Sequence, residues 1–320
     1  MNRNVLFRLW CIIIALSSCN STHITEELGD EGVDEVNILI RPFEYENEIS
    51  RASVDEYFQP IWEEKDTLGV YPTIGSQVEW PITSGYGESY AKFEGGGWAI
   101  KTNTYYHAYY PFNFYNRNSK AVPFSYIGQE QDGNNPQKHL GKYMFLATGP
   151  TISTKNIEKN KEEINFLLEH MGQIMIIELT LPEPTTYKSM SVYTNDNVFP
   201  IKKTFNLQTN NLEETIVEKS REVTLKLKNI TTTKKNEKVT FYIVLPSVSE
   251  NNYNHNLNVV IHDEYNFSYT APLYKPDGTQ AVTSMYRNTI SYRFASPVLD
   301  KDFNMGVSNW GQGSNTQGSV

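Results

Sequence analysis

The stretch Val223-Thr224-Leu225-Lys226-Leu227-Lys228 alternates apolar and polar side chains with a period of two. Successive side chains of an extended strand point to opposite faces, so this alternation collects the apolar groups on one face. The same pattern recurs at residues 36–41 and 290–294. Each stretch therefore predicts a half-buried strand with one face on a core.

Further runs are rich in β-branched and aromatic residues, at Trp98 to Lys101, Tyr105 to Phe112, Tyr143 to Ala147, Gln173 to Leu181, Val239 to Leu245 and Leu257 to His262. Turn-forming clusters such as Gln131 to Pro136 and Lys275 to Gly278 lie between them. Only Asn156 to Met171, with its lysines and glutamates, has helical character, although Ile164-Asn165-Phe166 can also open a strand. Many short strands with almost no helix predict an all-β fold of two tandem antiparallel β-sandwich domains.

The N-terminus carries the pattern of a bacterial secretory signal. Arg3 and Arg8 provide a basic start, an apolar run covers residues 9–16, and Leu16-Ser17-Ser18-Cys19 resembles the lipobox of bacterial lipoproteins. A membrane helix needs roughly 20 apolar residues, and polar residues from Ser17 onward make this run too short. We therefore predict lipid attachment at Cys19, which would anchor the protein at the outer membrane; an ordinary secretion signal is the alternative.

The charge and the cysteines limit what the mature protein can bind. Removal of residues 1–18 takes away two arginines and no acid, which changes the formal charge from −9 to −11. This acidic balance argues against nucleic acid, since phosphate is bound by clustered lysine and arginine. The two cysteines are Cys11, inside the signal, and Cys19, so the mature chain is expected to have no disulfide and no cysteine-ligated metal.

The length of the chain predicts more than one domain. The 302 residues that follow the signal exceed the usual size of a single core. Residues 1–18 form the signal peptide, and the acidic, glycine-containing residues 19–32 form a flexible tether. We place the boundary near residue 160, which gives an N-terminal β-sandwich at 33–160 and a C-terminal β-sandwich at 161–320.

Searches for catalytic and metal-binding motifs fail. The sequence has no G-x-S-x-G elbow, no G-x-x-x-x-G-K-[ST] phosphate loop, no H-E-x-x-H and no C-x-x-C. His107 lies in an aromatic strand, where a hydrogen-bonded core histidine is the simpler interpretation. Asp300 to Ser308 offers some oxygens of a calcium loop, but Met305 and Gly311 replace the turn glycine and the bidentate glutamate. We expect an ordinary polar loop there, and no metal, no cofactor and no enzymatic activity.

Two features keep sugar chemistry open. Glu63, Glu64 and Asp66 cluster, although a solvated loop explains them more simply than a glycosidase site does. The 21 tyrosines and 5 tryptophans can stack on sugars as well as fill a core. A monomeric surface lipoprotein that binds glycans through exposed aromatics is therefore the alternative function.

The order of features along the chain resembles the fimbrillin-like subunits of type V pili. The lipobox at Cys19 is followed by the alternating strand from Val36 to Arg41, by Ser50-Arg51-Ala52, and by Asp66-Thr67-Leu68-Gly69-Val70-Tyr71. Ala108-Tyr109-Tyr110-Pro111 then looks like the aromatic strand of the family that ends in proline, and Phe166 to His170 opens the second half. The resemblance implies lipoproteins with two transthyretin-like β-sandwich domains that polymerise into fimbriae.

The resemblance also implies how assembly would proceed. Val36, Ile38 and Ile40 would be the side chains of a displaceable first strand that fills a groove. An arginine-specific protease would cut after it, at Arg51-Ala52, which follows the exposed polar stretch 44–50. Arg41 is less suitable, because it ends the strand and precedes Pro42. A strand of another pilus subunit would then replace the first strand.

The segment that donates a strand is less clear. The tail from Ser308 to Val320 is polar and rich in glycine, whereas Thr289 to Leu299 alternates apolar groups as a donor needs. Either the donor precedes the tail, or this subunit accepts a strand without passing one on. A stalk, tip or anchor role stays open.

Overall fold

The computed structural model describes residues 35–40, 44–45, 61–95, 100–275, 277–284, 289–295 and 300–302. All of them fall in one compact unit, Asp34–Val320. They form strands β1 to β21, one short α-helix, α1 (Leu140–Tyr143), and a 3-10 turn at Glu250–Asn252. The all-β prediction is confirmed.

The first sheet contains eight strands: β1 (Glu35–Ile40), β3 (Thr67–Pro72), β4 (Val78–Ser84), β5 (Tyr90–Phe93), β6 (Tyr105–Tyr110), β9 (Leu146–Ile152), β10 (Thr154–Asn156) and β11 (Lys161–His170). Their order is β1-β5-β4-β3-β6-β9-β11-β10, and β1 also pairs with β11. This additional pairing closes the sheet through β1. A core that includes Trp62, Trp80, Phe93 and Phe166 packs within it.

Three further sheets complete the described fold. The second has the order β17 (Glu237–Pro246), β12 (Gly172–Leu181), β20 (Thr289–Ala295), β2 (Glu44–Tyr45). The third has the order β21 (Asp300–Asp302), β19 (Ser268–Pro272), β18 (Asn258–Asp263), β13 (Thr186–Tyr193), β16 (Glu222–Thr231), β8 (Gln129–Asp132). The fourth has the order β15 (Glu213–Ser220), β14 (Phe199–Asn206), β7 (Val122–Ser125).

The alternating stretch at 223–228 lies in β16 as predicted. Val223, Leu225 and Leu227 are buried, while Lys226 and Lys228 between and beyond them are exposed. The three buried side chains join the largest core cluster, which also takes residues from β12, β13, β17 and β18. Burial of one face therefore stabilises the strand as the period of two requires.

The helical character predicted for Asn156 to Met171 is wrong. The segment forms the end of β10, a turn and the ten residues of β11. Ile164, Phe166 and Leu168 are buried and alternate with exposed or half-buried neighbours. Their period of two outweighs the helix propensity of the lysines and glutamates, because burial of the apolar face contributes more than local preference.

The chain passes from the first sheet to the second without a loop. β11 ends at His170 and β12 begins at Gly172, with only the buried Met171 between them. β1 pairs in parallel with β11, and β20 pairs in parallel with β12. The division into domains at residue 160 stays a prediction.

Candidate functional site: the slot of the first strand

Strand β1 is paired on both sides. Ile38 lies opposite Ala91 of β5 in the antiparallel register and opposite Phe166 of β11 in the parallel register. Neither neighbour is close to β1 in sequence, so no hairpin turn ties β1 to either of them. We call the space between β5 and β11 the first-strand slot.

The slot has an apolar floor. Ile38 is fully buried, as are its register partners Ala91 and Phe166. The Trp62 ring packs edge-on against Phe93, with ring centroids 4.9 Å apart, and both rings belong to the same core cluster as Ile38. The side chain of Ile38 is therefore part of the apolar core that lines the slot.

The register extends this arrangement along the strand. Val36 lies opposite Ile164 and Ile40 opposite Leu168, and both partners on β11 are fully buried. Directly paired residues share a face of the sheet. Val36, Ile38 and Ile40, the positions predicted for the displaceable strand, thus all pair with buried residues of β11.

Removal of β1 would leave the rest of the first sheet paired. β5 keeps β4 as its neighbour, and β11 keeps β9 and β10. Each would lose one ladder, which leaves two open edges and an apolar floor between them. Such edges are templates for the addition of another strand.

The same N-terminal segment also reaches the second sheet. Four residues beyond the end of β1, Glu44 and Tyr45 form β2 and pair in parallel with Thr289 and Ile290 of β20. A segment that leaves the first-strand slot as one piece would take β2 with it. It would then uncover one edge of β20.

At one end of the slot, β11 carries a paired carboxylate. This is Glu163, which lies opposite Glu35 in the register of β1 and β11. The Glu163 carboxylate pairs with Lys159, with Nζ 3.1 Å from Oε1, and accepts the Asn156 amide at 2.9 Å. Its charge is therefore compensated within β10, β11 and the turn between them.

Several predicted positions lie outside the described residues. They are Cys19, the cut site Arg51-Ala52, and the calcium-loop candidates from residue 303 onward. Asp300–Asp302, the start of that loop, is strand β21 and pairs with β19. The described residues contain no group of three or more possible metal ligands and no helix long and apolar enough to cross a membrane.

The acidic cluster near residue 63 serves a local turn. Asp66 accepts the Glu63 backbone N–H through Oδ2 and the Tyr110 hydroxyl through Oδ1, both at 2.7 Å. Burial raises the pKa of Asp66 above its ordinary value. Glu63 and Glu64 are exposed, and the arrangement accounts for a turn rather than for a pair of catalytic acids.

His107 is a core residue, as the simpler interpretation holds. Its side chain is 3% exposed, and burial lowers its pKa. A hydrogen bond with the backbone of Leu207 raises the pKa and so opposes the larger effect of burial. The neutral imidazole therefore belongs to the packing of the first sheet.

The sequence predictions missed a pocket of about 440 Å³ beside the end of β6. The loop that forms it contains Asn113, Phe114, Tyr115 and Asn116, directly after the aromatic strand singled out above. Two aromatic residues between asparagines in a loop were the available signal. A loop without an apolar partner strand exposes such rings instead of burying them.

No protein-family model and no curated protein matches the chain. Solved structures do. A candidate cell adhesion protein from Bacteroides ovatus is 12% identical, with 82% of this chain and 99% of that chain covered and a TM-score of 0.46. A fimbrial protein from Bacteroides ovatus is 11% identical, with 82% and 48% covered and a TM-score of 0.39.

The tip fimbrial protein Mfa3 from Porphyromonas gingivalis, truncated at its C-terminus, is 13% identical, with 79% and 92% covered and a TM-score of 0.35. By their names, these three proteins are adhesion or fimbrial proteins.

Proposed function

We propose that this chain is a fimbrillin-like structural and adhesive subunit of a cell-surface pilus, which assembles by protease-triggered β-strand exchange. The observation that carries the proposal is the first-strand slot, in which a strand without a hairpin connection fills an apolar cavity between β5 and β11. In the full proposal the protein consists of two tandem transthyretin-like β-sandwich domains, and Cys19 carries the lipid that anchors the precursor at the outer membrane.

The energetics of the slot favour exchange over simple loss of the strand. Full burial of Ile38 contributes about 1.5 to 3 kcal/mol, and each backbone hydrogen bond of the two ladders adds about 0.5 to 1.5 kcal/mol net. An empty slot loses all of these contributions. A strand from a neighbouring subunit regains them, so it would bind tightly and dissociate slowly.

A covalent cut would convert β1 from a tethered strand into a replaceable one. While the chain is intact, β1 is held at a high effective concentration by the residues that follow it. Cleavage at Arg51-Ala52 would remove that advantage and release β2 together with β1. An arginine-specific protease and other pilus subunits are the partners that this scheme requires.

The proposal is tested by cutting the mature protein with an arginine-specific protease. We expect a new N-terminus at Ala52, followed by a ladder of polymers on gels of unboiled samples. Arg51→Ala should abolish both results, while the matched control Arg41→Ala should leave both unchanged. A product that begins elsewhere and no polymer ladder would refute strand exchange.

The anchor is tested separately in cells. Metabolic labelling with a fatty-acid probe should mark the wild-type protein and fail to mark Cys19→Ala. Equal labelling of the two proteins would refute lipidation at Cys19. It would not affect the proposal of strand exchange at the first-strand slot.

A further inference from the structure

The pocket beside the end of β6 is held in shape by side chains beneath its loop. The Gln77 carboxamide accepts the Tyr109 hydroxyl at 2.7 Å and donates to the backbone carbonyl of Asn113, also at 2.7 Å. The Tyr71 hydroxyl donates to the backbone carbonyl of Asn116 at 3.1 Å. The loop from 111 to 116, which we call the aromatic loop, is therefore organised before any ligand binds.

The aromatic loop presents two rings to solvent. Phe114 is 61% exposed and Tyr115 is 86% exposed, and their rings meet edge to face with centroids 5.7 Å apart. The Arg117 guanidinium lies 4.8 Å from the centre of the Phe114 ring and supports it by a cation–π contact. Two adjacent exposed rings beside a pocket form a contiguous apolar surface that a ligand can contact.

The walls of the pocket are neutral. Among the described residues, its lining consists of aromatic rings, two prolines and two asparagines, with no charged side chain. A volume of about 440 Å³ falls within the range of roughly 300 to 1,000 Å³ that is typical of small-ligand sites. The lining therefore fits a neutral ligand that has both an apolar face and hydrogen-bonding groups.

The polar groups of the lining are held by one another. Asn116 is 6% exposed, and its side chain lies beside the Tyr109 hydroxyl. That hydroxyl also engages Gln77 and the Asn113 N–H, the latter at 3.1 Å. These contacts fix neutral polar groups next to the aromatic rings of the pocket.

We propose that this pocket binds a neutral carbohydrate, with a pyranose ring against Phe114 and Tyr115 and its hydroxyl groups beside the asparagine carboxamides of the lining. A pyranose has an apolar face of C–H groups that suits aromatic rings and a rim of hydroxyls that suits carboxamides. The site lies on a loop outside the first-strand slot, so it requires neither cleavage nor polymerisation.

The test uses the uncut mature protein and an array of neutral oligosaccharides, followed by saturation-transfer NMR with the bound sugars. We expect binding by the wild type and affinity at least about tenfold weaker, a loss of about 1.4 kcal/mol, in the double variant Phe114→Ala/Tyr115→Ala. Asn116→Ala should weaken binding as well, which tests the carboxamides of the lining separately from the rings.

Tyr265→Ala is the matched control, because Tyr265 is 69% exposed and is not part of the pocket lining. It should bind as the wild type does. No binding to any oligosaccharide, binding that survives the double substitution, or equal loss in Tyr265→Ala would each overturn the proposal. A proline-rich peptide that saturates the pocket while sugars do not would also overturn it. None of these outcomes bears on the Arg51 cleavage assay.

Discussion

The side chain of Gln129 makes two hydrogen bonds with the Val244 backbone, as a neighbouring β-strand would. Its Nε2 donates to the Val244 carbonyl at 2.7 Å, and its Oε1 accepts the Val244 N–H at 2.8 Å. Gln131, two residues further along β8, binds the backbone of β17 in the same way. Its Oε1 accepts the Tyr242 N–H, and its Nε2 donates to the Thr240 carbonyl. Two side chains from the third sheet thus cover an edge of the second that would otherwise be open to pairing.

Substitution Gln129→Leu is expected to lower the free energy of unfolding by at least about 2 kcal/mol, because it leaves both polar groups of the buried Val244 unpaired. Urea unfolding monitored by tryptophan fluorescence measures the change. Gln137→Leu, at a half-buried position before α1, is the control and should change stability little. A Gln129→Leu protein as stable as the wild type would show that the β17 edge does not depend on this contact.

Substitution Ile38→Ala should destabilise the fold by about 2 to 5 kcal/mol, since it opens a cavity in the first-strand slot. Leu167 of β11 is 39% exposed, so Leu167→Ala should destabilise the fold much less. After protease cleavage, Ile38→Ala should also exchange its first strand faster for a fluorescent peptide with the sequence of residues 33–42. Equal exchange rates for the two variants would contradict the proposal that burial of Ile38 holds the first strand in the slot.

Lys202 and Lys203 are adjacent in β14 and both form ion pairs, yet they should respond differently to substitution. The Lys203 side chain is fully buried, and its Nζ lies 2.8 Å from Glu214 Oε2 and 2.8 Å from the Ser247 carbonyl. Lys203→Met leaves these acceptors without their donor and should cost about 3 to 5 kcal/mol.

The Lys202–Glu218 pair is about half exposed on both sides. Lys202→Met should therefore cost less than about 1 kcal/mol. Urea unfolding of the two variants in parallel measures the difference. Similar losses for both would show that burial does not govern these pairs.

The buried His170 predicts acid sensitivity. Burial lowers the pKa of its imidazole from 6.5 to about 3, so between these values the unfolded chain binds a proton that the folded chain does not. The stability contributed by neutral His170 is complete above pH 6.5 and falls with decreasing pH by about 1.4 kcal/mol per unit until about pH 3. Chemical unfolding at pH 7.5, 5.5 and 4.5 measures this slope.

His170→Gln should flatten the slope relative to the wild type. Other groups that titrate in this range contribute equally to both proteins, so the comparison isolates His170. An unchanged slope in His170→Gln would contradict the burial effect.

Much of the strand content was predictable because the period of two is a local property. The alternation predicted for residues 223–227 is the one that β16 shows, where each apolar side chain is buried. Prediction failed where a local signal competed with a distant partner. Gln131 was predicted to lie in a turn, yet it belongs to β8, because its backbone pairs with Leu227 of the distant strand β16.

The candidate site divides in the same way. The first strand was identified from its alternation and from the resemblance to the fimbrillin-like family, whereas its two walls were not. β5 and β11 are residues 90–93 and 161–170, and nothing in the sequence of either strand indicates that it pairs with β1. The aromatic loop escaped prediction for a related reason, since its rings matter only once Gln77 and Tyr71 fix the backbone that carries them.

The sequence by itself determined that this is a β-protein with an alternating first strand, because side-chain periodicity is fixed by the order of residues. The tertiary structure alone decided that β1 runs parallel to β11, that Gln129 closes the β17 edge, and that Asn116 lies in the lining of a neutral pocket. Strand pairing and burial depend on contacts between residues far apart in the chain, and their energies exist only after the chain has folded.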